Sequence, residues 1–284
     1  MSIYAEVIGD PIAHSKSPLI HGYWLERLGL PGDYRRERVP PEALAGYLAT
    51  RRADPDWRGC NVTIPDKQAV MPLLDAVDPL AAKIGAVNTV VAPDGRLTGY
   101  NTDADGFLAP LRPLLAERHL LRTARIFGAG GAARAIAHAL WEQGFHLIIA
   151  ARDQTAATTL AAEFGDKHVH VAPLARLAEP LDFDWGEPGD RLDLVVNATP
   201  LGMTGKPPLM VDFSNFAPRS IVYDAVYAPL DTPLLIEARS RGLRTVDGLE
   251  MLVGQARIAF RLLFGAEPPS DPAAEAELRA RLLA

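Results

Sequence analysis

The stretch 124–140, ARIFGAGGAARAIAHAL, constrains this chain more than any other. A strand-like run ends at Phe127, an alanine-rich helical run follows, and between them Gly128-Ala129-Gly130-Gly131-Ala132-Ala133 fits GxGxxA. A turn of this kind between strand and helix is the mark of a βαβ unit that receives a dinucleotide. Gly128 permits the tight turn, Gly130 lets a pyrophosphate approach the backbone, and Ala133 lets helix lie close to sheet. The helix N-terminus then offers N–H groups and partial positive charge to phosphate. Gly128, Ala129, Gly130, Gly131 and Ala132 are therefore candidate cofactor residues.

Strand-like and helical runs alternate along the rest of the chain, which predicts α/β architecture with parallel strands. Before the glycine turn, IYAEVIG, YRRERV and GCNVTI read as strands and SPLIHGYWLERLG and PEALAGYLATRR as helices, with Leu19, Tyr23, Leu25 and Leu28 near one face of the first. AVNTVVA and RLTGYN read as a hairpin across Pro93-Asp94-Gly95, and a helix is expected through GFLAPLRPLL. After the turn come strands at HLIIAAR, HVHVA, LDLVVNAT, SIVYDAVY and RTVDG, and a helix at PLLIEARSRG closed by Gly242.

A chain of 284 residues suits two domains. The expected boundaries are 1–104 for an N-terminal α/β domain and 105–249 for a Rossmann-type domain. The helices of 250–284 carry an apolar face that needs a partner. Residues 179–191, rich in Pro, Gly and Asp, are expected to form a surface loop.

The net charge of −6 and pI near 5.7 give no electrostatic footprint for nucleic acid. No run of about 18 apolar residues marks a membrane span, and MSIYAEVIGDP lacks the form of a secretory leader, which argues for the cytoplasm. The lone Cys60 has no companion at metal-ligand spacing, so no metal is expected.

Polar residues cluster where the first domain's strands should end: His14-Ser15-Lys16-Ser17, Asn61 to Lys67, Asn88-Thr89 and Asn101-Thr102-Asp103. Such a set suits a small polyhydroxylated acid, with hydroxyls for a carboxylate and amides for ring hydroxyls. Ser15 or Ser17 equally suits capping of the helix opened by Pro18, and Asn88 or Asp103 suits holding a turn. Hydride transfer to a carbonyl builds negative charge on oxygen, which Lys67 can neutralise if Asp103 orients its ammonium.

Eight segments in order, GDPIAHSKSP, NVTIPDK, GAVNT, NTDADG, GAGGAARA, NATPLGM, DAVYAPLDTPLL and GLEMLVGQ, closely resemble the shikimate dehydrogenase family over about residues 7–255. The resemblance implies NADP-dependent reduction of 3-dehydroshikimate to shikimate on the route to chorismate and the aromatic amino acids. It implies Lys67 and Asp103 as the catalytic pair, Ser15, Ser17 and Tyr227 around the substrate carboxylate, and Thr63, Asn88, Asp103 and Gln255 on its hydroxyls and carbonyl. It implies Thr199, Met203, Ala225 and Gly248 in segments lining the nicotinamide pocket, and the last helices returning to the substrate domain.

The family's NADP clamp reads Asn-Arg-Thr with a second arginine where this chain has Ala156; here it reads Ala151-Arg152-Asp153. Arg152 favours the phosphate of NADP, while Asp153 can repel it or accept from the ribose of NAD. The expectation is NADP with weakened discrimination, NAD remaining open. Two rivals are a quinate or dual quinate/shikimate dehydrogenase using NAD, and a non-catalytic nucleotide-binding regulator, against which Lys67 and Asp103 speak. The chain is expected to act as a monomer or homodimer on a small molecule.

Overall fold

The strand YAEVIG shows how the first sheet is built. In the computed structural model, which describes residues 3–165, 168–178, 191–214, 216 and 219–284, β1 (Tyr4–Gly9) is buried along its whole length. Its side chains alternate between faces, as pleating requires. Tyr4 and Ile8 join a core with Leu44, Leu48, Trp57, Val62 and Val90, whereas Ala5 and Val7 join Ile12, Tyr34, Ala259 and Leu263. Glu6 is caught in the first of these cores and is satisfied there by both arms of Arg51 at 2.9 Å and by the Tyr47 hydroxyl at 2.7 Å.

The chain continues through α1 (Ser17–Leu28), β2 (Asp33–Arg38), α2 (Leu44–Arg52), β3 (Trp57–Val62), β4 (Ala76–Val77), α3 (Pro79–Ile84), β5 (Thr89–Val91), β6 (Thr98–Tyr100) and α4 (Asp103–Leu108). The sheet order is β2-β1-β3-β5-β6-β4, with β5 antiparallel to both β3 and β6. The hairpin expected across Pro93-Asp94-Gly95 is present. The buried face of α1 is Ile20, His21, Tyr23, Trp24 and Leu25, while Leu28 is exposed, so the face expected through Leu19 and Leu28 is rotated. His21 stacks on Tyr34 of β2 while Trp24 packs edge-on against Phe260, and these ring contacts set that rotation.

The second sheet follows α5 (Arg112–Leu115) and contains β7 (Leu121–Phe127), α6 (Gly131–Glu142), β8 (His146–Ala151), α7 (Gln154–Ala162), β9 (Val169–Pro173), β10 (Arg191–Asn197), β11 (Ile221–Asp224), α8 (Pro233–Ser240) and β12 (Arg244–Val246). Its order is β12-β11-β10-β7-β8-β9, all parallel. Counted from β7 this is the 3-2-1-4-5-6 order of a dinucleotide-binding sheet. The chain ends with α9 (Gly248–Phe264) and α10 (Pro272–Leu283).

Two compact units result: Met1–Gly106 with Val253–Ala284, and Phe107–Leu252. The last helices thus return to the first unit, where the Tyr23 hydroxyl of α1 donates to the Ala274 carbonyl of α10 at 3.1 Å. The single helix expected through GFLAPLRPLL is instead α4, a tight 3-10 turn at Ala109–Leu111, and α5, because Pro110 and Pro113 cannot donate to a helical ladder. Residues 179–190 of the expected loop lie outside the described residues, and Arg191 begins β10.

His21 carries a consequence for stability. It is wholly buried, stacked on Tyr34 with centroids 4.0 Å apart, and neither ring nitrogen has a hydrogen-bond partner among the described residues. Burial lowers its pKa from 6.5 to about 3. Between those values the unfolded chain binds a proton that the folded chain refuses, so stability falls as pH drops below 6.5. At pH 5 the loss from this residue is about 2 kcal/mol. Urea unfolding at pH 7.5 and pH 5.0 should show that His21→Phe removes this share of the acid sensitivity.

Candidate active site

Because β5 runs antiparallel, its N-terminal end lies at the same edge of the sheet as the C-terminal ends of β1, β3 and β6. The loops carrying Ser15, Thr63, Lys67, Asn88 and Asp103 all leave from that edge. Lys67 lies in the turn after β3, and its carbonyl accepts from Val87 N at 2.7 Å, which ties the turn to the segment entering β5. Asp103 opens α4, its backbone N–H donating to Asn101 Oδ1 at 3.0 Å.

Lys67 Nζ meets Asp103 Oδ2 at 2.5 Å, with the two side chains only 14% and 6% exposed. The other carboxylate oxygen of Asp103 accepts from Asn88 Nδ2 at 2.9 Å. Asn88 in turn is fixed from both ends: Oδ1 accepts from Thr102 N at 2.8 Å, and Nδ2 reaches Thr102 Oγ1 at 2.9 Å. Gln255 Oε1 joins through the Thr102 hydroxyl at 3.3 Å and Asn88 Nδ2 at 3.4 Å. Asn88 has two amide hydrogens for three acceptors, so its contact with Gln255 is the weakest of the set.

Gln255 reaches this network because Gly106 lets α9 come close. A Cβ on Gly106 would stand 2.4 Å from Gln255 N and 2.7 Å from its Cβ. Thr102 is the member of this network to which the sequence alone assigns no role; its signal is the Asn-Thr-Asp string at the end of a strand. Asn61 is similar: it accepts from the Tyr34 hydroxyl at 2.5 Å, donates to Thr89 Oγ1 at 2.9 Å, and supports the network from behind.

Ser15, in the loop before α1, and Ser17, the first residue of α1, are both buried. The N-cap position of α1 is Lys16, without a side-chain bond, while the first backbone N–H of the helix, that of Ser17, donates to Ser15 Oγ at 3.3 Å, so Ser15 and not Ser17 serves the helix start. Thr63 follows β3, its backbone N–H held by the Ile8 carbonyl at 3.0 Å. Among the described residues the hydroxyls of Ser17 and Thr63 have no hydrogen-bond partner, and no three His, Cys, Asp or Glu side chains gather as a metal site.

The other candidates lie in the second unit. Gly128 has φ of +110°, which glycine alone adopts readily, and its N–H donates to the Ala150 carbonyl at 2.8 Å. Gly130 is the N-cap of α6; a Cβ there would meet nothing within 4 Å, and no side chain caps the helix. The N-terminal turn with Ala129, Gly131 and Ala132 is thus open to an anionic group, so the residues present fit a pyrophosphate.

Arg152 is exposed at the end of β8, and Asp153 Oδ1 accepts from Ala156 N at 3.0 Å as the cap of α7, a local role not anticipated from the sequence. Thr199 donates to Asn197 Oδ1 at 2.7 Å, and Asn197 in turn holds Asp224 at 2.9 Å. Met203 is partly exposed and Ala225 N donates to the Asn197 carbonyl at 2.9 Å. Tyr227 is half-buried beyond β11, and Gly248 opens α9 against the carbonyls of Ala225 and Val226.

A six-stranded parallel sheet with a glycine turn at its central strand, joined in one chain to an α/β unit bearing a Lys–Asp pair, defines a two-unit protein of the dinucleotide-binding class. Family models match it in three places: "Shikimate dehydrogenase substrate binding domain" at residues 7–90, "Shikimate / quinate 5-dehydrogenase" at 115–184 and "Shikimate 5'-dehydrogenase C-terminal domain" at 248–276. The chain is 52% identical to the shikimate dehydrogenase (NADP(+)) of Sphingopyxis alaskensis over 285 residues, covering 100% of this chain and 98% of the relative. It is similar to the crystal structure of shikimate 5-dehydrogenase from Thermus thermophilus in complex with NADP(H) and shikimate, at 39% identity and a TM-score of 0.80, covering 99% and 100% of the two chains. It is also similar to quinate dehydrogenase from Corynebacterium glutamicum in complex with NAD, at 33% identity and a TM-score of 0.80, covering 99% of each chain. The chain belongs to the shikimate dehydrogenase family.

Asn88 is the element of the site most exposed to test by stability. Asn88→Ala strips partners from Thr102 N and from one oxygen of buried Asp103. The expected cost is about 2–3 kcal/mol in urea unfolding, since these groups are left buried without their bonds.

Proposed function

We propose that the protein catalyses the reversible NADP-dependent reduction of 3-dehydroshikimate to shikimate in the pathway leading to the aromatic amino acids. The observation that carries this reading is the Lys67–Asp103 contact at 2.5 Å, embedded in the Asn88, Thr102 and Gln255 network of a chain that belongs to this family. NADP, when bound, supplies or accepts the hydride.

The chain's own residues do the rest. Lys67 Nζ delivers a proton to the oxygen that gains negative charge in the reduction and recovers it in the reverse direction. Asp103 holds the ammonium through one oxygen, and Asn88 fixes the other, so the lysine is aimed before substrate arrives. Ser15, Ser17 and Tyr227 receive the carboxylate, and Thr63, Asn88 and Gln255 receive hydroxyls. Residues 1–104 with 250–284 serve the substrate and 105–249 the nucleotide. There the turn from Gly128 to Ala132 receives the pyrophosphate, Arg152 meets the 2′-phosphate, and Thr199, Met203, Ala225 and Gly248 flank the nicotinamide. The enzyme acts in the cytoplasm, as a monomer or homodimer.

Nicotinamide absorbance during oxidation of shikimate and quinate, each with NADP and NAD, tests the reading directly. Shikimate-dependent reduction of NADP is expected, with quinate the poorer substrate; no reduction with any pair would overturn it. Lys67→Ala should lower kcat by about 10³-fold with KM little changed, because the proton is demanded in the transition state and not on binding. Asp153→Asn keeps an acceptor for Ala156 N and removes one negative charge, so it should raise kcat/KM for NADP relative to NAD. An unchanged ratio would detach Asp153 from cofactor choice.

A further inference from the structure

We propose that Arg36 supplies the positive charge of the substrate carboxylate subsite, a role the neutral hydroxyls of Ser15 and Ser17 cannot fill. The inference rests on the shikimate reading above and adds a binding residue to it.

Three arginines lie on β2, and two are spoken for. Arg35 Nε pairs with Asp33 at 2.6 Å, and Arg38 grips the Asp10 carboxylate at 2.9 and 3.0 Å. Arg36 is different. Its Nε donates to the Ser15 carbonyl at 2.8 Å, and among the described residues no carboxylate lies within ion-pair distance of it. The loop's own cation, Lys16, is turned to the Leu282 carbonyl near the end of α10, and Lys67 is held by Asp103. Among the three arginines of β2, Arg36 is therefore the one whose charge faces no carboxylate among the described residues.

A carboxylate that gives up water to neutral hydroxyls alone loses solvation without gaining a counter-charge. A guanidinium anchored through Nε on the carbonyl of Ser15 keeps both Nη groups for a planar anion. Arg36 is also exposed, so its attraction works partly through solvent and must weaken with salt. The edge position of β2 makes this possible, because a strand with one free side can carry an uncompensated cation.

The test compares wild type, Arg36→Gln and Arg36→Lys on shikimate and on its methyl ester, at low and high salt. Arg36→Gln should raise KM for shikimate about fivefold with kcat within about twofold of wild type, the scale of an exposed ion pair. The difference should shrink in high salt and vanish on the uncharged ester, and Arg36→Lys should stay near wild type. An unchanged KM in Arg36→Gln would overturn the assignment while leaving the enzymatic reading intact. Equal losses on acid and ester, or Arg36→Lys as poor as Arg36→Gln, would also overturn it, since the arginine would then merely hold the Ser15 loop. Absence of shikimate turnover by the wild type would overturn the enzymatic reading and this assignment together.

Discussion

The Lys67–Asp103 contact is the interaction on which the first unit is organised. A lysine and a carboxylate this close and this enclosed gain little as a bare pair, because each gives up water to reach the other. Their position becomes stable when the remaining lone pairs of Asp103 are also met, and Asn88 meets them. Asn88 itself stays in place because Thr102 engages its oxygen from the backbone and its nitrogen from the hydroxyl. A short chain of neutral groups thus holds the pair in an enclosed setting.

That chain of groups depends on the direction of β5. Were the sheet parallel throughout, the segment carrying Asn88 would enter from the opposite edge, remote from Lys67. The hairpin through Asp94, with φ of +52°, reverses the chain so that Asn88 and Asp103 flank the same edge. The pairing of Asn61 with Thr89, and of Thr89 with Tyr100, sets this register, and the Asn61 side chain repeats it by bonding to Thr89 Oγ1. The Lys67–Asp103 pair and the fold of β3, β5 and β6 therefore depend on one another.

Much of this was legible in the sequence, for physical reasons that differ by element. The strands flanking the glycine turn were readable because a sheet covered on both faces demands runs such as HLIIAA and LDLVVN. Lys67, Asn88 and Asp103 stood out as polar residues where strands end. What escaped depended on tertiary context. The buried face of α1 follows the stacking of His21 on Tyr34, a contact between separate elements that no period in SPLIHGYWLERL reveals. The helix α7 begins at a cap, Asp153, that reads equally well as a cofactor residue, and β4 is two residues long. The role of Thr102 needed Gln255 brought alongside it, which depends on the bare backbone of Gly106.

Asp153 shows how one residue can serve two demands that pull apart. The N-terminus of α7 needs an acceptor, and a carboxylate satisfies it with favourable charge against the helix dipole. The same carboxylate stands next in sequence to Arg152 and, on the function proposed above, reduces the positive potential a 2′-phosphate would meet there. A neutral hydroxyl at the cap would serve the helix with less charge and leave the arginine's field undiminished. On the function proposed above, cofactor choice in this chain is coupled to the stability of a helix end, and Arg152 must win the phosphate against its own neighbour, without the second arginine that Ala156 replaces.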